Sequence, residues 1–239
     1  MTPKLPEGEL IYAVGDVHGR SDLLSELLRK IEADAARRGA TKKTLVFLGD
    51  YVDRGPDSHG VIEMLLNELP QGFETQFLKG NHEALLLDFL ADPTVLDHWR
   101  MNGGEATMAS YGVDIDRLAG FGASPQSWHD AFATALPPAH LDFFKGLALQ
   151  VSAGDYLFVH AGVRPGVPLE AQEESDLIWI REPFLNSAAP YGKVVVHGHT
   201  PVREAVIRPN RIGVDTGAVF TGRLTALRLS DGDQDFLQT

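Results

Sequence analysis

Cysteine is absent from all 239 residues, which removes thiolate nucleophiles, disulfide frameworks and thiolate-ligated metal sites together. That composition fits a reducing compartment. No stretch comes near the roughly 18 apolar residues of a membrane helix. The opening residues, Met-Thr-Pro-Lys-Leu-Pro-Glu-Gly-Glu, lack the apolar core of a signal peptide. Positive charge is scarce too: 21 Lys and Arg face 33 Asp and Glu, a net charge of −12. So acidic a surface opposes broad contact with a phosphate backbone, which argues against nucleic acid as the main partner. Neither a Gly-x-Ser-x-Gly elbow nor a Gly-x-x-x-x-Gly-Lys-Ser/Thr loop occurs. The expectation is a cytoplasmic monomer with no membrane association.

What is present is a repeated pattern. Five apolar runs of strand length end in polar residues that can ligate metal: Gly15-Asp16-Val-His18-Gly19, Gly49-Asp50-Tyr-Val-Asp53-Arg54-Gly55, Gly80-Asn81-His82-Glu83, His160-Ala-Gly162 and His197-Gly-His199. The apolar content of 44% is ordinary for a globular chain, and the length suits one domain over residues 1–239.

Helical spacing follows the first three runs. Leu23, Leu24, Leu27, Leu28 and Ile31 share one face, with Ser21 as the expected N-cap and Gly39 as the stop. A second helix starts near Pro56 and carries Val61, Ile62, Leu65 and Leu66; a third spans 84–90. Alternating strands and helices argue for βαβ units and an α/β fold, with ligands gathered outside the carboxyl ends of the strands. Residues 93–146 carry no strand signal and read as a mainly helical insertion, a cap forming one wall of the site. The acidic stretch 164–176 reads as a solvated loop, and Asp215-Thr-Gly-Ala as a turn between the last two strands, 211–214 and 223–229.

Asp16, His18, Asp50, Asn81, His160 and His199 together offer carboxylate, imidazole and amide oxygen. Such N/O ligation suits manganese, iron or zinc and is too rich in nitrogen for a calcium cage. Six ligands exceed the need of one hydrated ion and suit two ions about 3.5–4 Å apart, with Asp50 bridging. Arg54, inside a ligand turn, and Arg181 have the planar fork that matches phosphate oxygens in pairs. His197, Asp215, His59, His98, His129 and His140 read as ordinary structural residues.

The three N-terminal motifs, followed by His160-Ala-Gly and Gly198-His199, resemble the signatures of the phosphoprotein phosphatase branch of the calcineurin-like metallophosphoesterases, over about residues 10–220. The resemblance implies a central mixed β-sandwich flanked by helices. It implies one metal held by Asp16, His18 and Asp50, and another by Asp50, Asn81, His160 and His199, with Mn²⁺ expected. His82 would be the general acid, Asp53 its orienting partner, and Arg54 and Arg181 the phosphate clamp. The implied reaction is direct attack of a dimetal-bound hydroxide on phosphorus, without a phospho-enzyme.

Within that branch the expected substrate is phosphoserine or phosphothreonine in a protein, with phosphotyrosine as an extension, as in small bacterial or phage-type members. The alternative is symmetrical cleavage of dinucleoside tetraphosphates. That group is expected to carry Val-Ala-Arg in place of Val52-Asp53-Arg54 and Asp in place of Glu83, so Asp53 favours the protein phosphatase. An inactive phosphate-binding adaptor would have lost a ligand or His82, and all are present.

Overall fold

The computed structural model describes residues 3–230 and 232–239. Strand β1 (Glu9–Val14) is followed by α1 (Ser21–Ala35), β2 (Lys42–Phe47), α2 (Ser58–Asn67), β3 (Glu74–Phe77) and α3 (Asn81–Ala91). Five short helices come next: α4 (Leu96–Met101), α5 (Gly104–Ser110), α6 (Ile115–Gly120), α7 (Pro125–Ala135) and α8 (Pro138–Lys145). Then follow β4 (Gln150–Ala153), β5 (Tyr156–Val159), α9 (Glu174–Trp179), α10 (Glu182–Leu185), β6 (Val194–His197), β7 (Val206–Ile207), β8 (Arg211–Gly213), α11 (Ala218–Thr221), β9 (Thr225–Ser230) and β10 (Asp233–Gln238).

Two five-stranded sheets result, ordered β10-β9-β1-β2-β3 and β4-β5-β6-β8-β7. The first joins parallel β1-β2-β3 to antiparallel β9 and β10 on one side, and the second has a parallel centre (β5-β6-β8) with antiparallel β4 and β7 at its edges, so both are mixed, as the resemblance implies. Alternate residues explain the layering. Ile11, Ala13 and Val46 of the first sheet, with Leu48 just beyond β2, meet Phe158, Val196 and Ile212 of the second in an apolar interface. Leu10, Tyr12, Val14, Leu45 and Phe47 point the other way, into a cluster with α1, α2, α3 and the helices of residues 96–145. Leu157, Val159 and Val195 back onto α9 and α10. Strands buried on both faces read as nearly continuous apolar runs, which is why β1, β2, β5 and β6 stand out in the sequence.

Several local expectations need correction. Ser21 is the first helical residue rather than the cap, and its hydroxyl donates to Asp57 Oδ2 at 2.5 Å. α1 ends at Ala35, short of Gly39. α2 starts at Ser58 with Asp57 as its cap, its carboxylate accepting from the Gly60 N–H. α3 starts at Asn81, three residues earlier than its leucines suggest, because Glu83 accepts from the N–H of Gly80 at 3.0 Å and closes the first turn. The acidic stretch is not simply solvated: Asp176 is buried and takes a two-pronged contact from Arg164 at 2.5 and 2.6 Å, and α9 begins within it. β4 and β10 had no strand signal; β10 is a polar edge strand, and edges tolerate the charges that disguise it. Among the described residues, no helix is long and apolar enough to cross a membrane.

Candidate metal centre

The loops that leave β1, β2, β3, β5 and β6 converge at the carboxyl edge of both sheets. The first two are zipped together: the N–H groups of Val17 and His18 donate to Asp50 O at 3.0 and 2.9 Å, and Gly19 donates to Tyr51 O at 2.8 Å. The loop after β6 joins through Gly198 N–H to His160 O at 2.8 Å. Glu83 clamps the loop after β2 onto the start of α3: its buried carboxylate accepts from the N–H groups of Asp50, Tyr51, Val52 and Gly80.

Among the described residues, five non-glycine residues have positive φ: His18, Asp50, Asp53, Arg54 and His199. All five are site residues predicted from the sequence. Left-handed backbone is unfavourable for side chains with a Cβ and survives only where the surroundings over-determine it, which happens at functional sites. The glycines beside them are needed for close approach. A Cβ on Gly80 would strike the Asp50 carboxylate, and one on Gly198 would strike that of Asp16.

Asp50 is the hub. Its Oδ2 lies 3.6 Å from His18 Nε2, 3.4 Å from His160 Nε2 and 3.8 Å from His82 Nε2. Two buried groups spaced for a metal ion share it: His18, Asp50 and His82, and Asp50, His160 and His199. Asn81 joins the second through Oδ1, 3.1 Å from His160 Nε2. Asp16 reaches the site beside His199, whose N–H donates to both its carboxylate oxygens at 3.0 and 3.2 Å. All six expected ligands are therefore neighbours.

The histidines are oriented from behind. Nδ1 of His18 faces Val52 O and Nδ1 of His160 faces Leu48 O, each at 2.8 Å, so each ring donates backward and turns Nε2 to the centre. Burial pushes His18 and His199 down to about 3, which keeps both imidazoles neutral, the ligating form. Burial works in the same direction on His160 but is overridden by Asp50, which raises it to about 10. Asp16 is raised by burial and by nearby Asp215. This donor set, with Nδ1 of His18 and of His160 tied to backbone carbonyls, fits a pair of divalent ions of the N/O-ligated class.

His82 is fully buried, with Nδ1 2.7 Å from Asp53 Oδ2 and, among the described residues, no hydrogen-bond partner for Nε2. Burial alone would lower its pKa; the carboxylates of Asp50 and Asp53 reverse the sign and raise it. Arg54 Nη1 lies 2.8 Å from His18 Nε2, and Arg181 Nε donates to His199 Nε2 at 3.1 Å. Two guanidinium groups thus stand on either flank of the ligands.

What holds Asp53 leaves no mark in the local sequence. Trp99 of α4 donates its indole N–H to the Asp53 carboxylate at 3.0 and 3.1 Å, and Thr107 of α5 donates to Oδ1 at 2.6 Å. Thr107 and Ser58 also accept from the Asp53 N–H, and Gly103 O accepts from that of Arg54. The helices of residues 96–145 therefore reach the centre by direct hydrogen bonds. Glu83 was missed as a clamp, though Gly-x-x-Glu ahead of an apolar run is a capping signal. Of the weaker candidates, His197 stays outside both groups, with Nδ1 on Gly198 O at 3.1 Å, and Asp215 forms a turn by accepting from Gly217 N–H at 2.7 Å.

Comparison with known proteins agrees with this geometry. The model of the calcineurin-like phosphoesterase family matches residues 10–226. A serine/threonine-protein phosphatase 1 of Salmonella typhimurium is 30% identical over 224 residues, covering 92% of this chain and 91% of that one. An asymmetrical bis(5'-nucleosyl)-tetraphosphatase, PrpE, of Oceanobacillus iheyensis is 25% identical, with 92% and 89% covered. Among solved structures, one provisionally described as a diadenosine tetraphosphatase superposes with a TM-score of 0.64 at 24% identity, over 96% of this chain and 93% of that one. A serine/threonine phosphatase from Saccharomyces cerevisiae superposes at 0.55 with 17% identity, over 99% and 83%, which speaks for the fold. The chain belongs to the calcineurin-like phosphoesterase family, as a metallophosphoesterase of the phosphoprotein phosphatase type.

Proposed function

We propose that this protein removes phosphate from phosphoserine and phosphothreonine side chains of other proteins, with manganese as its working ion. Asp16, His18 and Asp50 would hold one ion, and Asp50, Asn81, His160 and His199 the other. When bound, the pair supplies Lewis acidity and a nucleophilic water near neutral pH. The chain's own residues supply the rest. Arg54 and Arg181, on opposite flanks of the ligands, would take the phosphoryl oxygens and neutralise their charge. His82 would carry a proton on Nε2 and pass it to the seryl or threonyl oxygen as the P–O bond breaks, while Asp53 holds Nδ1 and fixes the ring.

The observation that carries this reading is the Asp53–His82 pair. A fully buried imidazole is tied to a carboxylate through one nitrogen, and the other has no hydrogen-bond partner among the described residues and stands 3.8 Å from Asp50 Oδ2. A phosphate-binding adaptor has no use for a proton donor held in that way. A relative named as a serine/threonine-protein phosphatase, aligned over nine-tenths of both chains, supports the same substrate class.

Hydrolysis of dinucleoside tetraphosphates is the second reading. It draws on relatives named asymmetrical tetraphosphatases, not the symmetrical kind weighed from the motifs, and on Trp179. That ring is 38% exposed, stacks on His98 with an interplanar angle of 15° and stands 6.2 Å from His199. A purine would find a flat face there. Turnover of the manganese-loaded protein on a phosphothreonine peptide, a phosphotyrosine peptide and diadenosine tetraphosphate decides between the two. The phosphothreonine peptide should be preferred; a preference for the dinucleotide by orders of magnitude would overturn the protein phosphatase.

A further inference from the structure

α2 leaves the Asp53 loop at Ser58 and carries His59 and Glu63 four residues apart, on one face. α8 brings a third group to that face. His140, buried, turns Nε2 toward Glu63 Oε1 at 3.0 Å, and His59 Nε2 lies 3.9 Å from the same oxygen. One ligand atom from each residue falls within 4.8 Å of the other two. Zinc bonds of about 2.0–2.2 Å place tetrahedral neighbours roughly 3.3 Å apart, so side-chain rotation alone is enough to close the three around an ion.

An ordinary hydrogen-bonded His–Glu pair needs nothing behind it; here the outer atoms are held as well. His140 Nδ1 is 2.8 Å from Tyr111 Oη, and Glu63 Oε2 accepts from Asn67 Nδ2 at 3.0 Å. The His59 ring packs edge-on against Tyr111, with centroids 5.0 Å apart. Metal ligands are held in this manner, through the atom that does not touch the ion. Burial lowers the His140 pKa, which leaves the ring neutral near pH 7. None of the three residues takes part in the centre formed around Asp50.

We infer that His59, Glu63 and His140 form a separate zinc-class site. Two imidazoles and one carboxylate suit zinc better than the all-oxygen cations. His59 and Glu63 are 38% and 43% exposed, so water takes the fourth position. The ion ties α2 to α8 and so to the helices that hold Asp53. Ser58, next to His59, accepts from the Asp53 N–H, and the His59 N–H itself donates to Ser110 of α5. Its role is a brace.

The test is zinc content after chelator treatment and dialysis against Zn²⁺, compared between the intact protein, His59→Ala and Glu63→Gln. Each variant should hold one zinc fewer per chain, whatever the intact protein holds, and should show a smaller zinc-dependent rise in melting temperature than the intact protein. Tyr111→Phe should keep the ion with affinity weakened about tenfold. His59 is exposed enough for its removal to leave the fold standing, which the melting temperature without zinc verifies. Equal zinc content in all three proteins overturns the site. The measurement is a difference between chains with identical Asp50 centres, so failure of the phosphatase reading leaves it unaffected.

Discussion

The two ends of α1 solve opposite problems. Its first turn abuts the centre, where the backbone runs left-handed at His18, Asp50, Asp53, Arg54 and His199, and where buried His82 Nε2 has no hydrogen-bond partner among the described residues. Its last turn carries Asp34, whose carboxylate accepts from Tyr12 Oη at 2.7 Å and Arg38 Nε at 2.9 Å. Arg228 lies 3.8 Å away and pairs with Asp233 and Asp235 of the edge strand. One end holds strain and unsatisfied atoms; the other holds paired charge that bolts helix to sheet. Strain of this kind survives where a ligand repays it, and stability comes from elsewhere in the molecule. Substitutions at the two ends should therefore separate activity from stability.

The largest effect belongs to the strained end. His82→Ala should lower kcat on an alkyl phosphomonoester by about 10²- to 10⁴-fold while metal content and melting temperature hold. On p-nitrophenyl phosphate, whose leaving group departs without a proton, most of that loss should disappear. Near-normal turnover of the alkyl ester would remove His82 from its role as acid.

Asp34→Asn should do the reverse. Burial acts to raise the Asp34 pKa, but hydrogen bonds from Arg38 and Tyr12 and the charges of Arg38 and Arg228 overcome it and hold the carboxyl at about 2. A folded value below the unfolded value near 3.8 means that ionised Asp34 stabilises the fold. The contribution is complete above the unfolded value and is lost as pH falls through about 2. Replacement should cost about 2 kcal/mol at pH 7, seen as a lower denaturant midpoint, with turnover unchanged. The gap from the intact protein should close between about pH 4 and 2. A gap that persists at pH 2 would mean shape rather than charge is what Asp34 supplies.

The contrast was only partly legible in the sequence. Strand ends announce themselves because β1, β2, β5 and β6 are apolar on both faces and stop at polar residues, which makes five of the six expected ligands legible; Asn81 follows the more exposed β3. The left-handed backbone at His18 and His199 leaves no such trace, because neither position is glycine. β10 hides as a polar edge, and Ser21 looks like a cap while serving Asp57. The supports of Asp53 are the hardest to foresee: Trp99 and Thr107 lie 46 and 54 residues away in the chain, and nothing in their local pattern says that an indole and a hydroxyl turn inward. Their placement is a product of packing across the helices of residues 96–145, which the sequence presents only as a cap.

Trp99→Phe tests that support and carries the smallest of the three effects. The ring is fully buried among Phe89 and Phe132, so phenylalanine keeps most of the packing and removes the one N–H that faces Asp53. Thr107 still donates to Oδ1, which limits the damage to roughly a tenfold loss in kcat, about the worth of one hydrogen bond to a charged group. Acting through Asp53 and then His82, the loss should fall on kcat with KM held, and should shrink on p-nitrophenyl phosphate as that of His82→Ala does. A purely structural tryptophan would instead lower turnover of both esters equally, along with the melting temperature. That outcome would confine Trp99 to packing and leave Asp53 positioned by Ser58 and by Thr107 of α5.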